Sequence, residues 1–274
     1  MSRLLRAGLG RFKKSKIYAC CLGVILLYCI FVCVMQYKTM VKYDLEFGLD
    51  SVIFIFMPLV GIVVSVFVSM FTGTEYSDGT IRNKLIVGLP RTSIYLSSYM
   101  VCIIGGMILI AGAYCLGTAL GLPLFGPPEM PLPKLLLFAV NGMVMGVAYI
   151  SIFHMVTMLN SSKTNAAVLC ILIAFGLLFV AAGVYSSLSQ PEYIDQMLKK
   201  NGEMVMETVK NPNYLTGVKR EIYQNILDFL PSGQAMQITN MNVLHPVRMI
   251  LYSGVITLVT NAAGIFLFRK KDIK

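Results

Sequence analysis

The chain has 274 residues, 57% of them hydrophobic and only 13% charged, with a mean hydropathy of +0.74. A water-soluble domain of this length covers one core with a charged shell, and this composition has too few charges to do so. The formal net charge of +10 is no argument for a nucleic-acid partner, because the basic residues flank apolar runs, where they set topology and meet anionic lipid.

Residues 1–16 place Leu4, Leu5, Leu9 and Phe12 on one helical face, with Arg3, Arg6, Lys13 and Lys14 largely on the other. That pattern predicts an amphipathic interfacial helix on the inner leaflet; a disordered basic leader that only sets topology fits the same residues. Six uncharged apolar runs of about 20 residues or more follow, each long enough to cross about 30 Å of hydrocarbon. They are Ile17 to Tyr37, Val52 to Thr72, Ile94 to Leu120, Leu135 to Leu159, Thr164 to Leu188 and Met249 to Phe268. The runs are continuous rather than alternating, which selects helices over a barrel. The first is too long for a signal peptide and no small-residue cleavage site follows it, so it is expected to be retained. The predicted fold is therefore all-α, a polytopic membrane protein with six transmembrane helices. Residues 17–188 hold the first five, 249–268 the sixth, and 269–274 a basic tail.

All seven cysteines fall inside these runs and read as small packing hydrophobes. Cys29 and Cys33 are four apart but have no His or carboxylate beside them, which makes a poor metal site. Cys20 and Cys21 stand where acylation is possible.

An even number of spans puts both ends of the chain on one side. That side carries 14 of the 23 Lys and Arg residues and only Glu75, Asp78 and Asp272 of the acids. The positive-inside rule then predicts cytoplasmic termini.

Among the connections, 121–134 contains five prolines, Pro123, Pro127, Pro128, Pro131 and Pro133, and reads as a stiff, non-helical connector. Residues 189–248 form the largest segment outside the spans and read as an extracellular helical hairpin. In its first predicted helix Pro191 fits the first turn, and Ile194, Met197, Leu198, Met204, Val205 and Val209 cluster toward one face, with Gly202 a weak point. Asn211-Pro212-Asn213 makes the break. Leu215, Val218, Ile222, Ile226 and Phe229 stripe a second helix that Pro231 ends. Such stripes need cover; a self-packed cap, the mouth of the bundle or the hairpin of another subunit would each supply it.

No catalytic pattern is present. There is no H-E-x-x-H, no G-x-S-x-G and no G-x-x-x-x-G-K-S/T phosphate loop, so zinc hydrolysis, serine hydrolysis and Walker-type ATP binding have no residues to carry them. The predicted spans contain no Asp, Glu, Lys or Arg, which argues against an ion-coupled carrier or an intramembrane hydrolase. His154 is expected to hydrogen-bond at a helix interface, and His245 lies on a loop away from it. Asn141 and Asn165 suit a pore lining and interhelical hydrogen bonds alike. Of the 18 methionines, those within spans suit an adaptable apolar pathway or plain packing. Met57, Asn141, Met143 and Phe229 are the candidate path residues.

The loop 73–93 is the most distinctive segment. It contains Glu75-Tyr76-Ser77-Asp78-Gly79-Thr80-Ile81-Arg82-Asn83-Lys84-Leu85, then Gly88, Arg91 and Ile94-Tyr95. Glu75 and Asp78 would acidify the start of a short helix, with Arg82 placed four residues after Asp78 to pair with it. The string resembles the ABC type-2 transporter permease family, in which E-Y-x-x-G-T-I-R-N-K followed by G-x-x-R-x-x-I-Y forms the coupling helix that docks on the ATPase. Leu230-Pro231-Ser232-Gly233-Gln234 is similar to a turn that members carry before their last span.

The resemblance implies ATPase coupling by Glu75, Tyr76, Asp78, Gly79, Thr80, Arg82, Asn83, Lys84 and Arg91. It implies a separate ABC ATPase in two copies that holds the ATP and magnesium, no cofactor in this chain and no enzymatic activity of its own. A second permease copy or a paralogue would complete twelve spans in a bacterial cell membrane, working by alternating access. The enlarged segment 189–248 departs from the compact members of the family. It resembles the extracellular domain of exporters for amphipathic, cytolytic peptides of the phenol-soluble modulin type. A lipid, glycolipid or drug exporter, or a peptide-immunity or sensor protein that transports nothing, fits the same sequence.

Overall fold

A computed structural model describes residues 2–45, 47–200 and 203–272. The elements are α1 (Ser2–Lys13), α2 (Lys16–Tyr43), α3 (Asp50–Ile53), α4 (Met57–Ser77), α5 (Thr80–Ile86), α6 (Arg91–Phe125), α7 (Leu132–Leu159) and α8 (Lys163–Leu188). They are followed by strands β1 (Tyr193–Lys200) and β2 (Glu203–Lys210), then α9 (Gly217–Phe229), α10 (Pro231–Thr239) and α11 (Pro246–Lys270).

Six helical stretches are long and apolar enough to cross a membrane: α2, α3 continuing into α4, α6, α7, α8 and α11. They correspond one to one with the six runs read from sequence. Each extends beyond its run, because a helix of 28 residues such as α2 reaches about 42 Å and carries charged turns past the apolar middle. Ser15 and Ser162 fix two of the starts by accepting the backbone N–H of Tyr18 and Asn165, each satisfying a donor that the first helical turn leaves open.

α4 is the central column, in contact with α2, α6, α7, α8 and α10. Phe67, Val60, Met57 and Val64 are buried along it. The outward faces of α2, α8 and α11 instead expose large apolar residues such as Leu27, Phe31, Leu172, Phe179, Leu258 and Val259, the pattern of a bundle whose solvent is hydrocarbon. α1 forms the expected amphipathic helix. Its apolar face packs on α6, and Phe12 is buried against Tyr18, Phe67 and Phe71, so protein covers much of the face expected to lie on lipid.

Three expectations are corrected. The first helix of the 189–248 hairpin is a two-stranded antiparallel ribbon, with Tyr193 opposite Lys210 and Lys200 opposite Glu203. The segment carries strand-favouring Tyr193, Ile194, Thr208 and Val209 as well as meeting a helical pattern, and the two residues between the paired ends are Asn-Gly in sequence, the dipeptide most favoured in two-residue hairpin connections. The proline-rich connector is shorter than 121–134: α6 runs on through Pro123 to Phe125, because a proline in the last turn forfeits only one backbone bond, and α7 begins at Leu132. Finally, Pro231 does not merely stop α9. It occupies the first turn of α10, where its missing N–H costs nothing, so the Leu230-to-Gln234 segment starts a helix instead of forming a simple turn.

Candidate functional site

The residues of the loop 73–93 converge at the end of the bundle where α1 packs and α11 ends. Glu75 lies in the last turn of α4 and is 3% exposed. Its Oε1 sits 2.8 Å from Nη2 of Arg11 on α1, and its Oε2 accepts from Nζ of Lys84 on α5 at 2.9 Å. One carboxylate thus binds three elements, each oxygen taking a different cation. The Arg11 guanidinium also stacks over the Phe71 ring at 4.3 Å, a favourable cation–π placement. Glu75 therefore belongs to the end of one helix, not to the start of the next as its spacing suggested. Asp78 caps α4, and among the described residues no ion pair joins it to Arg82.

Gly79 makes the corner at φ 65°, a left-handed conformation that a side chain would strain. Thr80 Oγ1 then donates to the Glu75 carbonyl at 2.9 Å, which takes up one of the carbonyls left open at a helix end. α5 is anchored by Ile81, fully buried with Ile94, Tyr95, Met158 and Phe268. Its other side carries Arg82 and Asn83 and, beyond them, Ile86 and Val87, 73% and 79% exposed.

A second knot holds the tail. Arg91 Nη1 donates to the carbonyls of Phe268, at 3.0 Å, and Lys271. The Tyr76 hydroxyl donates to the Met158 carbonyl, and Lys271 Nζ approaches both, at 3.1 Å and 3.2 Å, with its charge 4.3 Å from the Tyr76 ring centre. Burial pulls the Lys271 ammonium down to about 8 from its ordinary value, since a charged amine loses hydration there. The structure thus brings Glu75, Tyr76, Thr80, Lys84 and Arg91 together, makes the corner from Asp78 and Gly79, and leaves Arg82 and Asn83 on the surface. Arg11 and Lys271 were missed by the sequence reading: only their distant partners, 64 and 195 residues away, give them a role.

At the opposite end a buried carboxylate organises α9, α10 and α11. Asp228 is fully buried; its Oδ1 accepts from Gln224 and Gln237 at 2.8 and 2.9 Å, and its Oδ2 from Arg248 Nε at 2.8 Å, with His245 Nδ1 at 3.2 Å. Gln234 Nε2 bridges the carbonyls of Asp228 and Met249, and its Oε1 accepts from Ser253. Ser232 donates to the Leu177 carbonyl of α8 at 2.6 Å, and Thr239 to the Phe54 carbonyl at 3.1 Å. A Cβ on Gly233 would stand 2.2 Å from the Leu227 carbonyl oxygen. The Pro-Ser-Gly-Gln string is therefore a set of specific contacts that seats α10 among α4, α7 and α8.

The candidate path residues are placed separately. Met57 is fully buried and receives the Tyr114 hydroxyl at 3.8 Å; Asn141 is buried and donates to the Leu137 carbonyl within its own helix. Met143 packs at the rim of the core, and Phe229 lies exposed against the Tyr252 ring. His154 is buried at the interface of α6 and α7, edge-on to Tyr95, but among the described residues neither ring nitrogen has the expected hydrogen-bond partner. His245 is far from it in the fold, at Asp228. No group of three or more His, Cys, Asp or Glu side chains suited to a metal ion occurs among the described residues.

Comparison with known proteins finds no family model that matches the chain and no curated protein that matches it.

Proposed function

We propose that the chain is the membrane-spanning permease subunit of an ATP-binding cassette exporter whose ATPase is a separate polypeptide. One observation carries the reading. α5 presents Arg82, Asn83, Ile86 and Val87 outward, while Glu75, Lys84 and Ile81 fasten its inner side to α1, α4, α6 and α11. A helix exposed on one side and clamped on the other suits a contact that a partner pushes, because displacement passes to the spans as rigid-body motion.

The loop's resemblance to the ABC type-2 permease coupling segment supports the same assignment, and the excess of basic residues at this end supports its placement in the cytoplasm. A second copy or paralogue would complete the transport unit. The segment 189–248 favours an amphipathic peptide as substrate, moved outward by alternating access with ATP and magnesium held by the partner.

The test is ATP hydrolysis by an ABC ATPase purified together with this chain, in lipid nanodiscs, titrated with a cationic amphipathic helical peptide. The expected result is saturable stimulation that Arg82→Glu abolishes. Hydrolysis indifferent to the presence of this chain would overturn the permease reading, and hydrolysis that responds to lipid or drug but not to peptide would overturn the substrate.

A further inference from the structure

Two clefts meet at the end of the bundle remote from α1 and α5. The first, about 660 Å³, lies between the ends of α2 and α6 and is lined by Met40, Asp44, Leu45, Phe47, Phe125 and Glu129 among others. The second, about 480 Å³, is walled by Asp50, Met130, Lys134 and Met241, and it shares Phe47, Gly48 and Glu129 with the first. Glu129 therefore stands at the junction of the two. Volumes of this size match those of small-ligand sites.

Their chemistry is uneven. The described lining residues include three carboxylates, Asp44, Asp50 and Glu129, against one cation, Lys134, whose ammonium lies 5.7 Å from the Phe138 ring centre. Asp50 is only 5% exposed. Its Oδ2 accepts the Met130 N–H at 2.7 Å, which pins the α6–α7 connection to α3. Its Oδ1 is buried with no hydrogen-bond partner among the described residues. Anchoring that connection needs one oxygen, and it explains neither the open valence of the other nor the two further carboxylates. A buried carboxylate oxygen left unpaired is costly, and an approaching cation relieves the cost.

We propose that this double cleft binds a small amphiphile consisting of an ammonium group on an apolar body. The ammonium sits among Asp44, Asp50 and Glu129, and the apolar part lies against Phe47, Leu45, Phe125 and Met40. The site is independent of the exporter reading and its test uses no ATPase, so either can fail without the other.

The test is saturation-transfer NMR on the full chain in phosphatidylcholine nanodiscs, which present no net lipid charge to the probe. The probe is 2-phenylethylammonium, and 2-phenylethanol is its neutral counterpart. The expected result is saturable transfer to the ammonium probe, weakened at least fivefold for the alcohol and in the Asp44→Asn/Glu129→Gln double variant. Both replaced side chains are exposed, so this variant keeps the bundle's packing. Asp50→Asn, which preserves the acceptor for Met130, is expected to weaken the probe as well. Equal binding of the alcohol, undiminished binding by the double variant, or no saturable transfer at all would each overturn the proposal.

Discussion

Lys271 Nζ lies 3.1 Å from the Tyr76 hydroxyl, joining the residue just past α11 to the last turn of α4 across 195 positions of sequence. The amine is held where burial disfavours its charge, at about 8 against an ordinary 10.5. Between those values the unfolded chain binds more protons than the folded one, so stability rises with pH across that window. Labelled as ¹³C-dimethyl-lysine, this residue should titrate with a midpoint near 8, assigned by its loss in Lys271→Arg. A midpoint near 10.5 would mean that the tail is not seated on Tyr76.

Glu75→Gln removes the only carboxylate between Arg11 and Lys84 among the described residues. Both cations are partly open to solvent, at 31% and 24%. The loss is therefore expected between that of a surface pair and that of a buried one, about 1–3 kcal/mol. Thermal unfolding in detergent should show a lowered midpoint, and the double variant with Lys84→Met should recover part of it. Unchanged stability in the single variant would show that the triad is ornamental to folding.

Charge reversal separates the two roles of α5. Arg82→Glu alters an exposed side chain and should leave thermal stability intact while weakening capture of the proposed ATPase partner at least tenfold. Lys84→Glu places a second carboxylate against Glu75 and should lower stability as well. Equal effects of the two variants on both readouts would contradict the division of α5 into an anchored and an exposed side.

Gly233→Ala forces a methyl group against the backbone oxygen of Leu227, which cannot swing away as a side chain would. The expected cost is about 1–3 kcal/mol, typical of overpacking, seen as a lowered unfolding midpoint. Ala235→Gly, two residues on in the same helix, should cost about 1 kcal/mol from helix propensity, with the loss of its buried methyl added. A neutral Gly233→Ala would show that α9 and α10 meet less closely than this.

The spans were legible because hydrocarbon demands about 20 uninterrupted apolar residues, a signal that neighbouring segments hardly disturb. The second helix of the 189–248 segment was legible for local reasons as well, though it begins at Gly217 and leaves Leu215 outside. The ion pairs were not: Glu75 has acceptable partners at several spacings, and only tertiary packing selects Arg11 and Lys84 over Arg82. Residues 191–209 satisfied a helical pattern while carrying strand-favouring residues, and the Asn-Gly pair was the decisive clue, of which Gly202 alone was read, as a weak point. Pro231 was read as an end although it serves equally as a beginning, and what distinguishes these is the contact of Ser232 and Gln234 with α8 and α11. The exposed surface of α5 follows from a simple rule: a short helix beside a bundle buries one side, here Ile81, and shows the rest.

The ribbon β1–β2 leaves and rejoins the chain at one spot. The Asn211 N–H donates to the Glu192 carbonyl at 2.8 Å, and its side-chain amide donates to the Pro191 carbonyl at 3.0 Å. A segment whose ends are pinned together transmits no pull to the helices on either side, so its length and composition are free to vary without re-registering α8 against α9. It is thus the natural place to splice a reporter into this protein, because an inserted cargo would ride on the ribbon while the six spans keep their spacing.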